Sequence, residues 1–405
     1  MRVQLPQLLW YENNILEIDL PDDWDVEICP MKGAGRPLLT VEQMEAAILN
    51  PIESPRIRDI AKGKKTAVIV FDDMTRPTRT YELAPIVLKE LEAAGIKKQD
   101  ITFVCALGAH GALTQIELRK KLGTHILENY RVFNHNPYEN CVEAGTTSYG
   151  TPVMFNREVM EADVKIGIGC VTAHPQAGFS GGGKLLLPGV AHIDTISHYH
   201  LEVAAKAPET MGLGKYEDNI LRKNIHEAAA MAGMDFTINV IFNDRGCTTA
   251  VFAGDIFAAH AQAVELAKSV YETSLSSPGK DLVIANAFAK ANEMTIATRL
   301  GINALGGTKG TVVVIANSPE GQVVHYLLGR FGRNYGGRQY PVTKVPPDLD
   351  LIIMAPHLGK NFADWFANPE EITFTRSWDE TMDNLKGRFG AKTKVAVVPN
   401  ATMQY

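Results

Sequence analysis

Three segments of this chain hold side chains able to move protons, grip anions or ligate a metal. Asp72-Asp73-Met74-Thr75-Arg76-Pro77-Thr78 places a carboxylate, a hydroxyl and a guanidinium close together. An arginine there can donate two parallel hydrogen bonds to a phosphate or carboxylate ligand. Leu107-Gly108-Ala109-His110-Gly111 carries an imidazole between glycines, where the backbone can bend and a ligand can come close. With an unperturbed pKa of about 6.5, such a ring transfers protons near neutrality. The plainer readings are a helix cap with a surface ion pair for the first segment and a surface histidine for the second.

The third segment runs from Thr172-Ala173-His174-Pro175-Gln176 through Gly178-Phe179-Ser180-Gly181-Gly182-Gly183-Lys184 to Pro188-Gly189. Its glycines are expected to present backbone N–H groups to an anion, with Lys184 adding charge. The spacing matches most of a P-loop, but Leu185 stands where Ser or Thr must hold magnesium. Pro188-Gly189 would also break the helix that a P-loop requires. A nucleoside triphosphatase is therefore set aside. A nicotinamide dehydrogenase is disfavoured too, because no Gly-x-Gly-x-x-Gly opens a helix after the first strand.

Further on, His192, His198 and His200 lie within nine positions, without a His-Glu-x-x-His pair. His198 and His200, two apart, cannot share a helix face, so one of them, rather than both, is expected to reach any metal. A single neutral imidazole can ligate nickel, copper, iron or zinc. The competing reading is a polar helix face with solvated rings.

Short apolar runs must position these loops. Residues 66–71, 101–107, 164–171 and 236–242 are rich in Val and Ile and read as strands buried on both faces. Residues 82–94, 216–232 and 256–273 repeat with helical period between them. The alternation predicts an α/β fold with mainly parallel sheets. Glu272-Thr-Ser-Leu-Ser-Ser-Pro-Gly279 clusters linker residues, and strands then restart at 281–285, 310–316, 349–354 and 394–398. Two α/β domains follow, 1–272 and 273–405, with the active site expected in the cleft between them and closure excluding water. The first twenty residues read as a hairpin turning at Asn13-Asn14. Ligands of such sheets sit beyond the carboxyl ends of strands, where all three chemical segments fall.

The chain has 405 residues, and 40 basic against 46 acidic side chains give a formal charge of −6, which argues against a nucleic-acid partner. Its length suits two or three domains of roughly 150 residues. The five cysteines are odd in number and form no Cys-x-x-Cys, so neither a disulfide framework nor a thiolate zinc site is signalled. No run approaches the roughly 18–20 apolar residues of a membrane span, and no signal-peptide core follows Met1. A cytoplasmic protein without a membrane partner is expected, with a homodimer one option.

Taken together, Asp73-x-Thr75-Arg76, Gly108-x-His110, His174-x6-Gly181-Gly182-x-Lys184 and His200 resemble the nickel-dependent lactate racemase family. The resemblance implies a nickel-pincer nucleotide, a pyridinium mononucleotide whose two sulfur-bearing arms clamp nickel, with one arm bound covalently to Lys184. It implies His200 as the protein's nickel ligand and His110 and His174 as paired catalytic histidines. Asp73, Met74, Thr75, Arg76, Gln176, Ser180, Gly181, Gly182 and Thr295 would join Lys184 in contacting the cofactor, with Arg76 also holding the substrate carboxylate. The implied reaction is inversion at C2 of a 2-hydroxy acid by reversible hydride transfer, each histidine serving one enantiomer.

The sequence departs from the family at one place. Members acting on lactate carry a Tyr-Gln pair followed, three residues after the Gln, by a Lys that grips the carboxylate. Here the stretch reads Asn292-Glu293-Met294-Thr295-Ile296-Ala297-Thr298-Arg299, with Thr298 at the expected lysine and assigned to substrate binding. Arg299 is a neighbour pointing about 100° away. Gly329-Arg330-Phe331-Gly332-Arg333-Asn334-Tyr335-Gly336-Gly337-Arg338 is a second place from which arginines could reach a polar acid, or else an exposed loop. A substrate larger or more polar than lactate is expected. The alternatives are a hydroxy acid/keto acid redox enzyme using the same cofactor, disfavoured by the retained histidine pair, and a non-catalytic nucleotide-binding homologue.

Overall fold

The computed structural model describes residues 1–12, 14–275, 279–307, 309–335 and 343–405, with backbone alone for 333–335. The chain divides into two units, one of residues 36–243 and 247–269, the other of residues 1–35, 244–246 and 270–405. The N-terminal 35 residues thus belong with the C-terminal unit, and the expected 1–272 division is corrected there. The reason is edge pairing. Strands β1 (Arg2–Gln7) and β2 (Asn14–Asp19) form the anticipated antiparallel hairpin. Beyond it, β3 (Asp25–Ile28) adds in parallel to a sheet built otherwise from the last third of the chain.

The unit of residues 36–243 and 247–269 carries β4 (Ala67–Asp72), β5 (Ile101–Ala106), β6 (Arg131–Asn134), β7 (Cys141–Thr146), β8 (Pro152–Asn156) and β9 (Val164–Cys170). It continues with the two-residue strands β10 (Ala173–His174) and β11 (Gly178–Phe179), then β12 (Phe236–Phe242) and β13 (Thr248–Gly254). The main sheet has the order β13-β12-β9-β4-β5-β6 and is parallel except for β12–β13. Every residue of β4 and β12 is buried, as apolar runs with helices on both faces require. The helix Thr80–Ala93 turns Leu83, Ala84, Val87 and Leu91 into that core. Helices Ile220–Ala232 and Ala258–Tyr271 fall within the predicted periodic stretches.

The other unit adds β14 (Leu282–Asn286), β15 (Gly310–Ile315), β16 (Leu349–Met354), β17 (Ile372–Thr375) and β18 (Lys394–Val398). With β3 they form a wholly parallel sheet in the order β17-β16-β15-β14-β18-β3. The hairpin residues Val3, Leu5, Ile18 and Leu20 pack into the same core as Ile284, Val313 and Val397. Part of the proposed linker, residues 276–278, and Asn13 of the proposed turn lie outside the described residues. Among the described residues no helix is long and apolar enough to cross a membrane.

Candidate active site

The loop after β4 is fixed from below. Asp72 accepts a hydrogen bond of 2.7 Å from Lys121 Nζ and one of 2.5 Å from Thr78 Oγ1. The Lys121 ammonium, fully buried, also donates to the carbonyls of Arg76 (2.8 Å) and Thr78 (3.0 Å), closing the loop around one cation. A buried ammonium is tolerable only when paired and hydrogen-bonded, so Asp72 is committed to this architecture. Its neighbour Asp73 faces the chemistry. One Asp73 oxygen lies 2.6 Å from His110 Nδ1, and the other accepts from the Thr75 N–H (3.0 Å) and Oγ1 (2.5 Å).

Burial opposes the charge on Asp73, but the adjacent His110 ring, the Arg76 guanidinium and the Thr75 hydrogen bond hold it well below the usual carboxylate range. An ionised Asp73 accepts the Nδ1–H of His110 and leaves Nε2 to exchange protons. The His110 side chain keeps 16 % of its surface exposed, enough for a ligand to reach it. Arg76 Nη1 donates to the Thr75 carbonyl (2.8 Å) and hydroxyl (2.9 Å). Met74 is buried beside them.

His174 ends β10, which pairs antiparallel with β11. Its Nδ1 accepts the backbone N–H groups of Gln176 (3.2 Å) and Ala177 (3.1 Å), and the Gln176 carbonyl accepts from Asn219 (2.7 Å). The glycine loop that follows is closed rather than open to an anion. Ser180 Oγ accepts from the Thr172 N–H and donates to the Cys170 carbonyl (2.8 Å), so this hydroxyl is spent inside the protein. The Gly182 N–H donates to Asn239 Oδ1 (2.9 Å) and the Lys184 N–H to the Gly181 carbonyl. The glycines are there for close packing. A Cβ at Gly182 would lie 2.6 Å from the His260 ring, and one at Gly181 2.9 Å from Asn239. Gly167 and Gly169 of β9 likewise make room for Leu185. At these positions the Ser180 hydroxyl and the Gly182 and Lys184 N–H groups are bonded within the protein.

The loop delivers Lys184, nine-tenths buried, on a short 3-10 turn, Gly182–Leu185. The three downstream histidines separate as their spacing predicted. His192 caps the helix Ile193–His198 through the Asp194 N–H, and His198 Nδ1 meets Thr151 Oγ1 at 3.0 Å. His200 lies in a single π-turn, Tyr199–Val203, within the continuing helix, an irregularity frequent at functional sites. Burial, then the positive charge of Lys184 and the His110 ring, lower the His200 pKa to about 3, so its imidazole is neutral near pH 7. His200, Lys184 and His110 are thus electrostatic neighbours, and His110 bonds Asp73.

Thr295 and Thr298 stand in the other unit, on the helix Met294–Leu305. Thr298 is buried and its hydroxyl donates to the carbonyl of Met294, four residues back (3.2 Å), so its one hydrogen is used within the helix. The exposed residue on that turn is Arg299, whose guanidinium is partly desolvated and held below its ordinary pKa by burial. Residues 329–335 are helical rather than a loop, with Arg330 near Asp364 (3.9 Å). The proposed roles of Arg333 and Arg338 lie outside what is described.

Sequence reasoning missed Lys121, Asn239 and His260. None sits in a motif, since each bonds the site loops from 43 or more residues away in sequence. His260 is buried, with Nε2 2.8 Å from the Ser180 carbonyl, and supports the loop from behind.

Comparison with known proteins finds the lactate racemase N-terminal domain matched over residues 11–212. The lactate racemase of Lactiplantibacillus plantarum is 27 % identical over 392 residues, covering 89 % of each chain. That of Thermoanaerobacterium thermosaccharolyticum is 30 % identical over 280 residues, covering 68 % of this chain and 65 % of its own. Among solved structures, the lactate racemase apoprotein from T. thermosaccharolyticum superposes with a TM-score of 0.78 at 22 % identity, covering 100 % of this chain and 99 % of that one. A Thermotoga maritima protein gives 0.64 at 19 % identity, covering 92 % and 99 %. These last two likenesses speak to the fold.

Proposed function

The chain belongs to the lactate racemase family, and from that premise we propose that it is a racemase or epimerase inverting C2 of a 2-hydroxy acid. The observation that carries the reading is the cluster in one unit of the Asp73–His110 pair, His200 and Lys184. A carboxylate-backed imidazole with a neutral imidazole and a buried amine in the same unit suits proton transfer next to a metal-bearing cofactor.

The residues fit a nickel-pincer nucleotide. His200 would supply one nitrogen ligand and Lys184 the amine for a covalent link. When bound, that group supplies a reversible hydride acceptor. The chain's own part is to hold the acid and manage its hydroxyl proton. Arg76 holds the carboxylate, His110 takes the proton at Nε2 with Asp73 stabilising the imidazolium, and His174 addresses the same oxygen. The packed glycine loop fixes Lys184 and keeps water from the reacting carbon.

The substrate is an acid larger or more polar than lactate. Supporting this, a neutral side chain already bonded within its own helix, Thr298, stands where members acting on lactate carry a lysine. The test is intact mass and bound nickel of protein made with the cofactor-synthesis machinery, followed by chiral analysis against lactate, malate, longer hydroxy acids and sugar acids. Nucleotide-sized added mass, near-stoichiometric nickel and inversion of a non-lactate acid are expected. Lactate turned over best would overturn the substrate assignment. Nickel without chemistry across the panel would favour a non-catalytic homologue, and net oxidation without inversion would favour the redox reading.

A further inference from the structure

The turn that follows His174 is held by its carbonyl groups. Five consecutive ones, those of residues 176–180, each accept a hydrogen bond from residues 214–222 or from His260. Asn219 Nδ2 bonds the Gln176 carbonyl at 2.7 Å, the Gly214 N–H that of Gly178 at 3.1 Å, and His260 Nε2 that of Ser180 at 2.8 Å. The Arg222 guanidinium reaches the Ala177 carbonyl at 3.5 Å and also bonds that of Phe179. The two segments touch at backbone level, since a Cβ on Gly178 would stand 2.0 Å from the Lys215 carbonyl oxygen. One of these bonds bears on the imidazole. The C=O of Gln176 and the N–H of Ala177 belong to one planar trans peptide and point in opposite directions, so holding the first aims the second. That Ala177 N–H donates to His174 Nδ1 at 3.1 Å, and the Gln176 N–H meets the same atom at 3.2 Å.

We infer that Asn219 is a positioning residue, which orients the His174 ring by fixing the Gln176–Ala177 peptide. Asn219 is 1 % exposed, and both hydrogens of its amide are used, the second bond going to the Lys215 carbonyl at 3.1 Å. Its Oδ1 accepts the Arg222 N–H at 3.0 Å and so caps the helix Ile220–Ala232. Capping alone does not call for an amide, because Ser and Asp cap a helix as well as Asn does. Of these three only Asn also carries the N–H donor that the Gln176 carbonyl receives. The helix N-terminus and the imidazole are thereby tied to one side chain, the helix through its oxygen and the ring through its nitrogen and one peptide plane. That His174 takes part in the chemistry rests on the racemase reading; what holds its Nδ1 does not.

The test is hydrogen exchange of the full chain, read at single amides by mass spectrometry with electron-transfer fragmentation, for wild type, Asn219→Ser and Asn219→Asp. Both replacements keep an oxygen to cap the helix, and both lack the donor to Gln176. Expected in both is exchange of the Ala177 amide faster by about tenfold or more, with the amides of the helix Ile220–Ala232 within about threefold of wild type. Ala177 exchanging at the wild-type rate in both variants would overturn the inference. So would turn and helix loosening together by the same factor, which would make Asn219 a cap and nothing more. A second arm uses kcat and KM on the acid found by screening. Both variants should lose about tenfold or more in kcat with KM within about twofold, as a misaimed group costs rate rather than binding. A normal kcat beside a loosened Ala177 amide would overturn the positioning role. A wild type with no activity on any acid tested would instead count against the racemase reading, leaving the hold on His174 to the exchange rates.

Discussion

His135 allows a pH effect to be worked from geometry. It follows β6 directly, is 2 % exposed, donates from Nε2 to the Ala191 carbonyl at 2.9 Å, and meets the Asn156 amide through Nδ1 at 3.4 Å. Burial, with a smaller push from His192 and against the Ala191 bond, lowers its pKa from 6.5 to about 4. The unfolded chain therefore binds a proton near pH 6.5 that the folded one refuses until about pH 4, so stability falls with pH across that window. At about 1.4 kcal/mol per pH unit the full loss is about 3 kcal/mol, of which about 2 kcal/mol is gone at pH 5. His135→Gln keeps an amide N–H at the Nε2 position and cannot titrate. Urea unfolding at pH 7 and pH 5, read by hydrogen-exchange labelling of β4 and β9, isolates the unit that holds His135. Trp10, Trp24, Trp365 and Trp378 all lie in the other unit, so tryptophan fluorescence reports that unit as a control. Wild type should lose about 2 kcal/mol more than the variant between the two pH values. Equal losses would refute the reasoning, because then the proton affinity of His135 does not differ between folded and unfolded chains.

Asp73→Asn should lower inversion by about 10²- to 10⁴-fold while nickel content stays near that of wild type, since the amide can neither fix the His110 tautomer nor stabilise its charge; parallel loss of nickel would assign Asp73 to the cofactor instead. Lys121→Met strips Asp72 and two carbonyls of their buried cation and should cost about 3–5 kcal/mol in urea unfolding, where a change below about 1 kcal/mol would show that the ammonium is not needed. Lys184→Ala should lose covalent cofactor by intact mass, and an adduct that persists would move the attachment elsewhere. Thr298→Val should leave KM unchanged within about twofold, whereas Arg299→Gln should raise KM for an anionic substrate about tenfold or more through loss of a charge-assisted hydrogen bond; the reverse ranking would restore Thr298 to the substrate.

Strand positions were legible because their burial is nearly complete. Runs such as Phe236–Phe242 have no polar face to lose, and a parallel sheet is the architecture that accepts them. The domain division was less legible at the N-terminus. Residues 25–28 pair with β18 by backbone hydrogen bonds, an interaction between segments some 370 residues apart that no local pattern encodes. Helical content within 329–335 was obscured by glycines at 329 and 332, whose low propensity reads as loop.

For the candidate site the sequence supplies residue types but not their partners, and the glycine loop shows why. Spacing alone pointed to an anion cradle, because in sequence a glycine that frees an N–H cannot be told from one that makes room for a neighbour. The discriminating partners, Asn239, His260 and Leu185 against Gly167, are brought in by β12, a later helix and β9. The tight contacts they make pack the loop that carries Lys184. His110 and His174 were paired by the resemblance to the lactate racemase family. What separates them is the partner of Nδ1, a carboxylate in one case and two backbone N–H groups in the other. A side chain can thus be recognised from sequence as competent for proton transfer, but its direction of transfer is set by the atom across from it, and that atom is supplied by the fold.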